Sequence, residues 1–313
     1  MIIDMHAHLN PQEWSKTRPP AMFDVEGYLA AQAEANIDLS LVSNPLIGRP
    51  NQDLRSVDNM RKYHEFAAEL ISKYPKQLIA AAVAVPWAGD KHLEETRRAL
   101  TEDGCKAVLI NPCYDGEYLD SKRAFPFYQL MSEMDVPVFV HPPGETIGKE
   151  FMKEYRLVEI IGRPMETTLG LARMIYSGVL EKFPKLKVVC AHLGGAITIL
   201  AGRINYGYEE RKKVGFNPFG TGDDWGPDCL TKEPTDYISM LYVDTVSFHQ
   251  PGVMCALQTV GEDHVVFGTD NPPVQIPLKR SIGLIENLPV SEETKRKIFS
   301  GTAAALLKLD NQG

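Results

Sequence analysis

The chain has no apolar run long enough to cross a bilayer: the longest, Leu78 to Trp87, is about half of the ~20 residues that a spanning helix needs. No block of like charge occurs either. With 33 Lys+Arg against 41 Asp+Glu the net charge is -8, which argues against nucleic acid as a partner. Cysteine is scarce: five residues, odd in number and without a C-x-x-C pair, fit reduced thiols better than a disulfide framework. No basic segment followed by an apolar one trails Met1, so the reading includes no signal peptide. No G-x-G-x-x-G follows a strand, which removes a nicotinamide-binding fold, and no P-loop is found. Linkers rich in Gly or Ser, repeats of fixed period and low-complexity segments are also missing. These absences predict a cytoplasmic protein that binds neither membrane nor nucleic acid and forms one domain over residues 1–313.

What is present is a regular alternation. Short runs of β-branched and aliphatic residues recur at 1–5, 39–43, 78–85, 106–110, 136–141, 186–192, 241–247 and 264–270, which makes eight candidate strands. Between them, stretches such as 25–35, 57–72, 91–101, 125–134, 169–183 and 253–260 carry apolar residues at helical spacing. Nearly uninterrupted apolar strands separated by helices indicate a parallel sheet covered on both faces. Eight such units predict an α/β fold, a (β/α)8 TIM barrel, with one or two extra C-terminal helices between Val290 and Leu309. Proline and glycine cluster just after strands, as in Asn44-Pro45, Asn111-Pro112, His141-Pro142-Pro143-Gly144 and Asp270-Asn271-Pro272-Pro273. They mark the C-terminal rim, where barrels carry their chemistry.

Four of the eight histidines occupy equivalent places on that rim. His6 and His8 end strand one, His141 ends strand five, His192 ends strand six, and Asp270 ends strand eight. Alternation puts His6 and His8 on one face, within reach of a single ion. Taken singly, each residue has a plainer explanation: a His-x-His pair often marks a turn, a histidine on an apolar strand is usually a core residue, and an Asp after a strand often caps the next helix. Five metal-competent groups at the same end of four strands are better explained together, as a divalent metal site. Neutral imidazoles with a carboxylate suit Zn²⁺, and Mn²⁺, Fe²⁺ or Co²⁺ can also be accommodated.

This pattern resembles the amidohydrolase superfamily, and several segments resemble its 2-amino-3-carboxymuconate-6-semialdehyde decarboxylase-like branch. They are Asp4-Met5-His6-Ala7-His8-Leu9-Asn10-Pro11-Gln12-Glu13-Trp14, Val138-Phe139-Val140-His141-Pro142, Gly162-Arg163-Pro164-Met165-Glu166-Thr167-Thr168, Glu181-Lys182-Phe183-Pro184-Lys185-Leu186-Lys187-Val188, Ala191-His192-Leu193-Gly194-Gly195-Ala196 and Phe267-Gly268-Thr269-Asp270-Asn271-Pro272. The resemblance implies that His6, His8, His141 and Asp270 hold one divalent metal, that Asp270 also serves catalysis, and that His192 is the acid/base. It implies that Arg203 reaches the active site of a partner subunit and meets a substrate carboxylate, in a homodimer or higher homo-oligomer. The segment from Val243 to Pro251 is similar to related hydratases and makes His249 a substrate candidate, with a capping or core role equally open. Asn111, at the end of strand four, stands where some members carry a ligand that bridges two metals, and its amide argues for one metal.

The chain also departs from that branch. Its loop after strand one is short and retains only Lys16 and Arg18 as nearby cations, with Arg49 after strand two, and Pro142-Pro143-Gly144 replaces a tryptophan after the strand-five histidine. A different small carboxylate substrate is therefore expected, with Arg18 among its candidate contacts. The activity the resemblance implies is a metal-dependent decarboxylase of a small unsaturated or aromatic carboxylic acid. A hydratase or C–C hydrolase of a ring-cleavage product is the alternative on the same site, because a bound metal lowers the pKa of its water from about 15.7 to about 7 and so serves all three reactions.

Overall fold

The computed structural model describes residues 1–17, 20–44, 56–214 and 228–309. Eight strands form one parallel sheet in sequential order: β1 (Ile3–His8), β2 (Leu39–Ser43), β3 (Leu78–Val83), β4 (Ala107–Ile110), β5 (Val138–Val140), β6 (Val188–Cys190), β7 (Tyr242–Asp244) and β8 (Val265–Val266). Backbone hydrogen bonds then link the last strand's run to the first: Met5 N to Phe267 O at 2.9 Å, Asp270 N to His6 O at 2.8 Å and His8 N to Asn271 O at 2.9 Å. The sheet thus curls into a nearly closed barrel, as the alternating pattern predicted. β1 carries a bulge between Asp4 and Ala7, where the Asp4 carboxylate accepts the His6 N–H at 3.0 Å. Bulges re-aim side chains near active sites.

The helices follow from their sequences. α1 (Val25–Glu34) starts at Asp24, whose carboxylate accepts the Gly27 N–H at 2.9 Å, and satisfies one of the orphan donors of a first turn. α2 (Val57–Lys73) buries Met60, Tyr63, His64, Ala67 and Leu70, a stripe at helical spacing. α3 (Asp90–Thr101) packs against it, and Glu95 of α3 is sealed between them with His64 Nδ1 at 2.9 Å, Arg61 at 2.8 Å and Arg98 at 2.8 Å. Each buried Leu, Val or Phe of such faces contributes about 1.5–3 kcal/mol. α4 (Phe125–Met134) lies where its periodicity predicted.

The stretch expected as one helix over 169–183 is two, α5 (Arg163–Tyr176) and α6 (Val179–Lys182). Gly178 breaks it: its φ is +76°, and a Cβ there would lie 2.8 Å from the Cys229 side chain. α7 (Ala201–Val214) and the short α8 (Pro234–Ile238) precede β7, and α9 (Gln250–Val260) follows it. α10 (Leu278–Glu286) was not foreseen, whereas the expected C-terminal helices are present as α11 (Glu292–Arg296) and α12 (Thr302–Leu307), joined by a π turn. Strands β7 and β8 are shorter than their apolar runs. The Asp244 carboxylate accepts the Val246 N–H at 3.0 Å, so the backbone turns away after β7, and beyond Val266 the last run pairs with β1 through bonds such as Asp270 N to His6 O at 2.8 Å. No helix among the described residues is long and apolar enough to cross a membrane.

Candidate metal centre and active site

The strand ends bring the predicted groups together. One ligand atom from each of His6, His8, His141 and Asp270 lies within 4.8 Å of the others, and all four residues are buried. His6 Nε2 and His8 Nε2 are 3.0 Å apart, and Asp270 Oδ1 is 3.4 Å from the first and 3.1 Å from the second. The remaining ring nitrogens are occupied from behind. His6 Nδ1 meets Asp244 Oδ2 at 2.6 Å, His8 Nδ1 meets the Ser43 carbonyl at 3.3 Å, and His141 Nδ1 meets the Pro142 carbonyl at 2.9 Å. Held so, each imidazole presents Nε2 to the same point, the arrangement in which metal-binding histidines are fixed by their outer partners. His141 Nε2 is buried without a hydrogen-bond partner. A buried orphan of this kind is costly unless something else fills the position, and the donor set fits a divalent cation.

Electrostatics point the same way. Burial opposes a charge on His6, but Asp270 and Asp244 outweigh it and push its pKa up to about 10. Burial pushes His8 down to about 4, and with the neighbouring histidines holds His141 well below its ordinary value. Burial likewise opposes the Asp270 charge, yet His6, His192 and His8 keep this carboxyl well below the usual range. The acidic surroundings of His6 thus favour positive charge at this point, which a divalent cation would supply. Beneath them Asp4 is pushed by burial up to about 7, against hydrogen bonds from the Thr269 hydroxyl and N–H at 2.5 and 3.1 Å.

His192 lies beside the cluster, two residues beyond the end of β6. Its Nε2 is 3.2 Å from Asp270 Oδ2, and its side chain, 14% exposed, is more accessible than those of His6 and His8 at 0%. Asp270 thus offers one oxygen to the ligand set and the other to His192. Both residues have left-handed backbone, with φ of +56°. Strain of this kind collects at functional sites and persists where surrounding structure enforces it. Here the enforcement is visible: Leu193 N donates to Asp244 Oδ1 at 3.3 Å, and Ala196 N donates to the Thr168 hydroxyl of α5 at 2.8 Å. Gly195, at φ +70°, is required because a Cβ would run into the Pro164 carbonyl oxygen.

Asp244 is the functional residue that inspection of the sequence overlooked. It orients His6 and anchors the His192 turn, and its position at the end of β7, equivalent to those of His141 and Asp270, was the available signal. The remaining candidates are distributed differently. Asn111 is buried one residue beyond β4, with both amide atoms unpartnered. Arg203 is exposed on α7 and stays outside the cluster of this chain. His249 is exposed at the N-cap of α9, where it lines a surface hollow with Phe248, Arg280 and Leu284 rather than joining the buried cluster. Arg18 and Arg49 lie outside the described residues, as does the Lys16 side chain. Among the histidines read as structural, His64 accepts the Val83 N–H at 3.0 Å and His264 stacks on Tyr242 at 4.3 Å.

With this geometry established, comparison with known proteins is decisive about lineage. The sequence profile of the amidohydrolase family matches residues 3–309. The chain belongs to the amidohydrolase family. Its relatives place it in the 2-amino-3-carboxymuconate-6-semialdehyde decarboxylase-like branch. The 2-amino-3-carboxymuconate-6-semialdehyde decarboxylase of Dictyostelium discoideum is 26% identical, over 98% of this chain and 92% of its own. The gamma-resorcylate decarboxylase of a Polaromonas species is 22% identical over 99% and 95%. The crystal structure of a Polaromonas dihydroxybenzoic acid decarboxylase, with bound manganese and the inhibitor 2-nitroresorcinol, superposes with a TM-score of 0.81 at 21% identity, over 98% of this chain and 97% of that one. At that identity the superposition establishes the barrel and its topology.

Proposed function

We propose that this amidohydrolase is a metal-dependent decarboxylase, a carbon–carbon lyase that acts on a small aromatic carboxylic acid. The observation that carries the reading is the convergence of His6, His8, His141 and Asp270 on one point with His192 sharing Asp270, in a chain whose relatives are decarboxylases. The three imidazoles suit Zn²⁺, and the manganese of the Polaromonas structure makes Mn²⁺ its main competitor. When bound, the ion supplies Lewis-acid polarisation and orientation of substrate oxygens. The protein's own part is proton delivery. As the bond from ring carbon to carboxylate breaks, its electron pair stays on the ring carbon and takes a proton from His192 Nε2, CO2 leaves, and solvent returns the proton to the imidazole. Asp270 stabilises the charged imidazole and holds it in place, a general-acid contribution of about 10² to 10⁴ in rate.

The neighbouring surface supports a homodimer. Ile147, Phe151, Tyr155, Ile160, Ile199 and Tyr206 are large apolar side chains left exposed, and a partner that covers such side chains removes apolar surface from water. Arg203 stands between Ile199 and Tyr206 in sequence and would enter the partner's site to meet the substrate carboxylate. One domain over 1–313 and a cytoplasmic setting, suited to five free cysteines, complete the proposal. CO2 release from a panel of hydroxybenzoates, uracil carboxylates and muconate-type acids tests it. Release that stops on chelation and returns with Mn²⁺ or Zn²⁺ is the expected result. No release from protein with stoichiometric metal would overturn it in favour of hydration or C–C hydrolysis.

A further inference from the structure

The surface hollow beside His249 has no part in the chemistry above. Its volume is about 410 Å³, and Phe248, His249, Gln250, Pro251, Arg280 and Leu284 line it. Pockets that hold small molecules start at about 300 Å³, so the space admits a substituted six-membered ring. None of the four candidate metal ligands borders it. Its two walls are set by the fold. The first four lining residues lead into α9, while Arg280 and Leu284 lie four positions apart on α10 and so share a face of that helix. The Gln250 side-chain amide donates to the Asn287 carbonyl at 3.0 Å and ties the start of α9 to the end of α10.

Two features of the lining point to a ligand. Arg61, Arg98, Arg123, Arg156, Arg173 and Arg296 each hold a carboxylate, whereas the side chains of Arg280 and His249 have no hydrogen-bond or ion-pair partner among the described residues. No carboxylate lines the hollow, in a chain with 41 acidic residues against 33 basic ones. The guanidinium is always charged, and the imidazole offers an N–H in either protonation state. The second feature is Phe248, whose φ of +56° is an outlier for a bulky residue. Such strain persists where neighbouring structure enforces it. Here Ser247 N donates to the Thr245 carbonyl at 2.8 Å just ahead of it, and Phe248 joins Pro251 and Leu284 as the apolar part of the lining.

A guanidinium meets a carboxylate through two parallel N–H groups, and the apolar side chains cover a ring. An inorganic anion would leave them wet, and a neutral ring would leave both nitrogen donors to water. We propose that this hollow is a second binding site, apart from the metal cluster, for a small aromatic carboxylate, with the carboxylate on Arg280 and His249 and the ring against Phe248, Pro251 and Leu284. A substrate or product of that class would then bind this chain at two places. The site stands whether or not the chain decarboxylates, because its lining neither holds the ion nor moves the proton.

The experiment titrates 4-bromobenzoate, acetate and inorganic phosphate into metal-loaded protein by calorimetry, and locates the bromine by its anomalous scattering in crystals. A bromine beside Arg280, in addition to any at the metal centre, is the expected result. Arg280→Gln is expected to weaken that site at least about fivefold, the loss of a charged hydrogen bond discounted for exposure to solvent. Acetate, which has no ring to bury, should bind there at least about tenfold more weakly. Leu284→Glu, which brings a carboxylate into the hollow, should remove the bromine there and leave affinity at the metal centre within about twofold of wild type. Bromine at the metal centre alone, an unchanged affinity in Arg280→Gln, or acetate or phosphate binding as tightly as 4-bromobenzoate would each overturn the proposal. None of these readouts measures turnover, so a missing CO2 release would refute the decarboxylase reading and leave this site in place.

Discussion

Replacing Asp244 by Asn tests the argument most directly, because it changes one atom hydrogen-bonded to His6, a proposed metal ligand. Asp244 Oδ2 accepts the Nδ1 proton of His6 at 2.6 Å, while Oδ1 accepts the N–H groups of Leu193 at 3.3 Å and Val246 at 3.0 Å. An asparagine cannot serve all three. With its oxygen toward His6, its amide nitrogen faces two backbone donors. In the other orientation the amide nitrogen faces Nδ1 and drives the proton to Nε2, which then has no lone pair for a metal. Loss of an outer partner of this type lowers metal affinity about 10- to 100-fold, equivalent to about 1.4–2.7 kcal/mol at 1.36 kcal/mol per factor of ten. The two backbone donors left without an acceptor cost a further ~1–3 kcal/mol each at most, in folding stability. Mn²⁺ and Zn²⁺ affinities from chelator competition, together with denaturant unfolding of the metal-free protein, separate the two effects. Metal affinity within about twofold of wild type in a folded Asp244→Asn variant would refute the claim that Asp244 sets the His6 tautomer.

His192→Asn should retain stoichiometric metal and lose about 10² to 10⁴ in turnover; equal loss of metal by elemental analysis would make His192 a ligand instead of the proton donor. Arg203→Ala should raise KM for a carboxylate substrate with little change in kcat, and unchanged steady-state kinetics would leave Arg203 a surface charge. Glu95 tests the frame behind the site. Burial disfavours its charge, but His64, Arg98 and Arg61 outweigh burial and hold its pKa below the ordinary carboxylate value of 4.5. A depressed folded pKa means that the ionised form stabilises the fold above the unfolded value, and that this stability is lost as pH falls below it. Glu95→Gln should therefore cost about 2 kcal/mol at neutral pH, less than a fully enclosed pair because Arg61 remains half exposed. The gap to wild type should narrow between about pH 5 and pH 3; a gap independent of pH in urea titrations would show that the carboxylate charge contributes nothing.

Much of this protein was legible in one dimension because its signals are local and periodic. A buried parallel strand must be apolar on both faces, so runs such as Leu78–Val83 announce themselves, and the eight strands followed. Side chains alternate along a strand, so His6 and His8 had to share a face, and a polar residue ending each of several apolar runs had to stand on one rim. Those regularities determined the barrel, the C-terminal location of the site and five metal-competent groups. Other features depend on residues far apart in sequence. Asp244 acquires its role only when barrel closure places β7 against a histidine 238 positions away. Gly178 splits a helix because the Cys229 segment crosses it, and no helical period contains that information. His249 shares a strand-end segment with Asp244, yet the turn at Asp244 carries it to the outer surface. Local chemistry chose the elements, and the close approach of distant backbones decided which side chains were left facing one another.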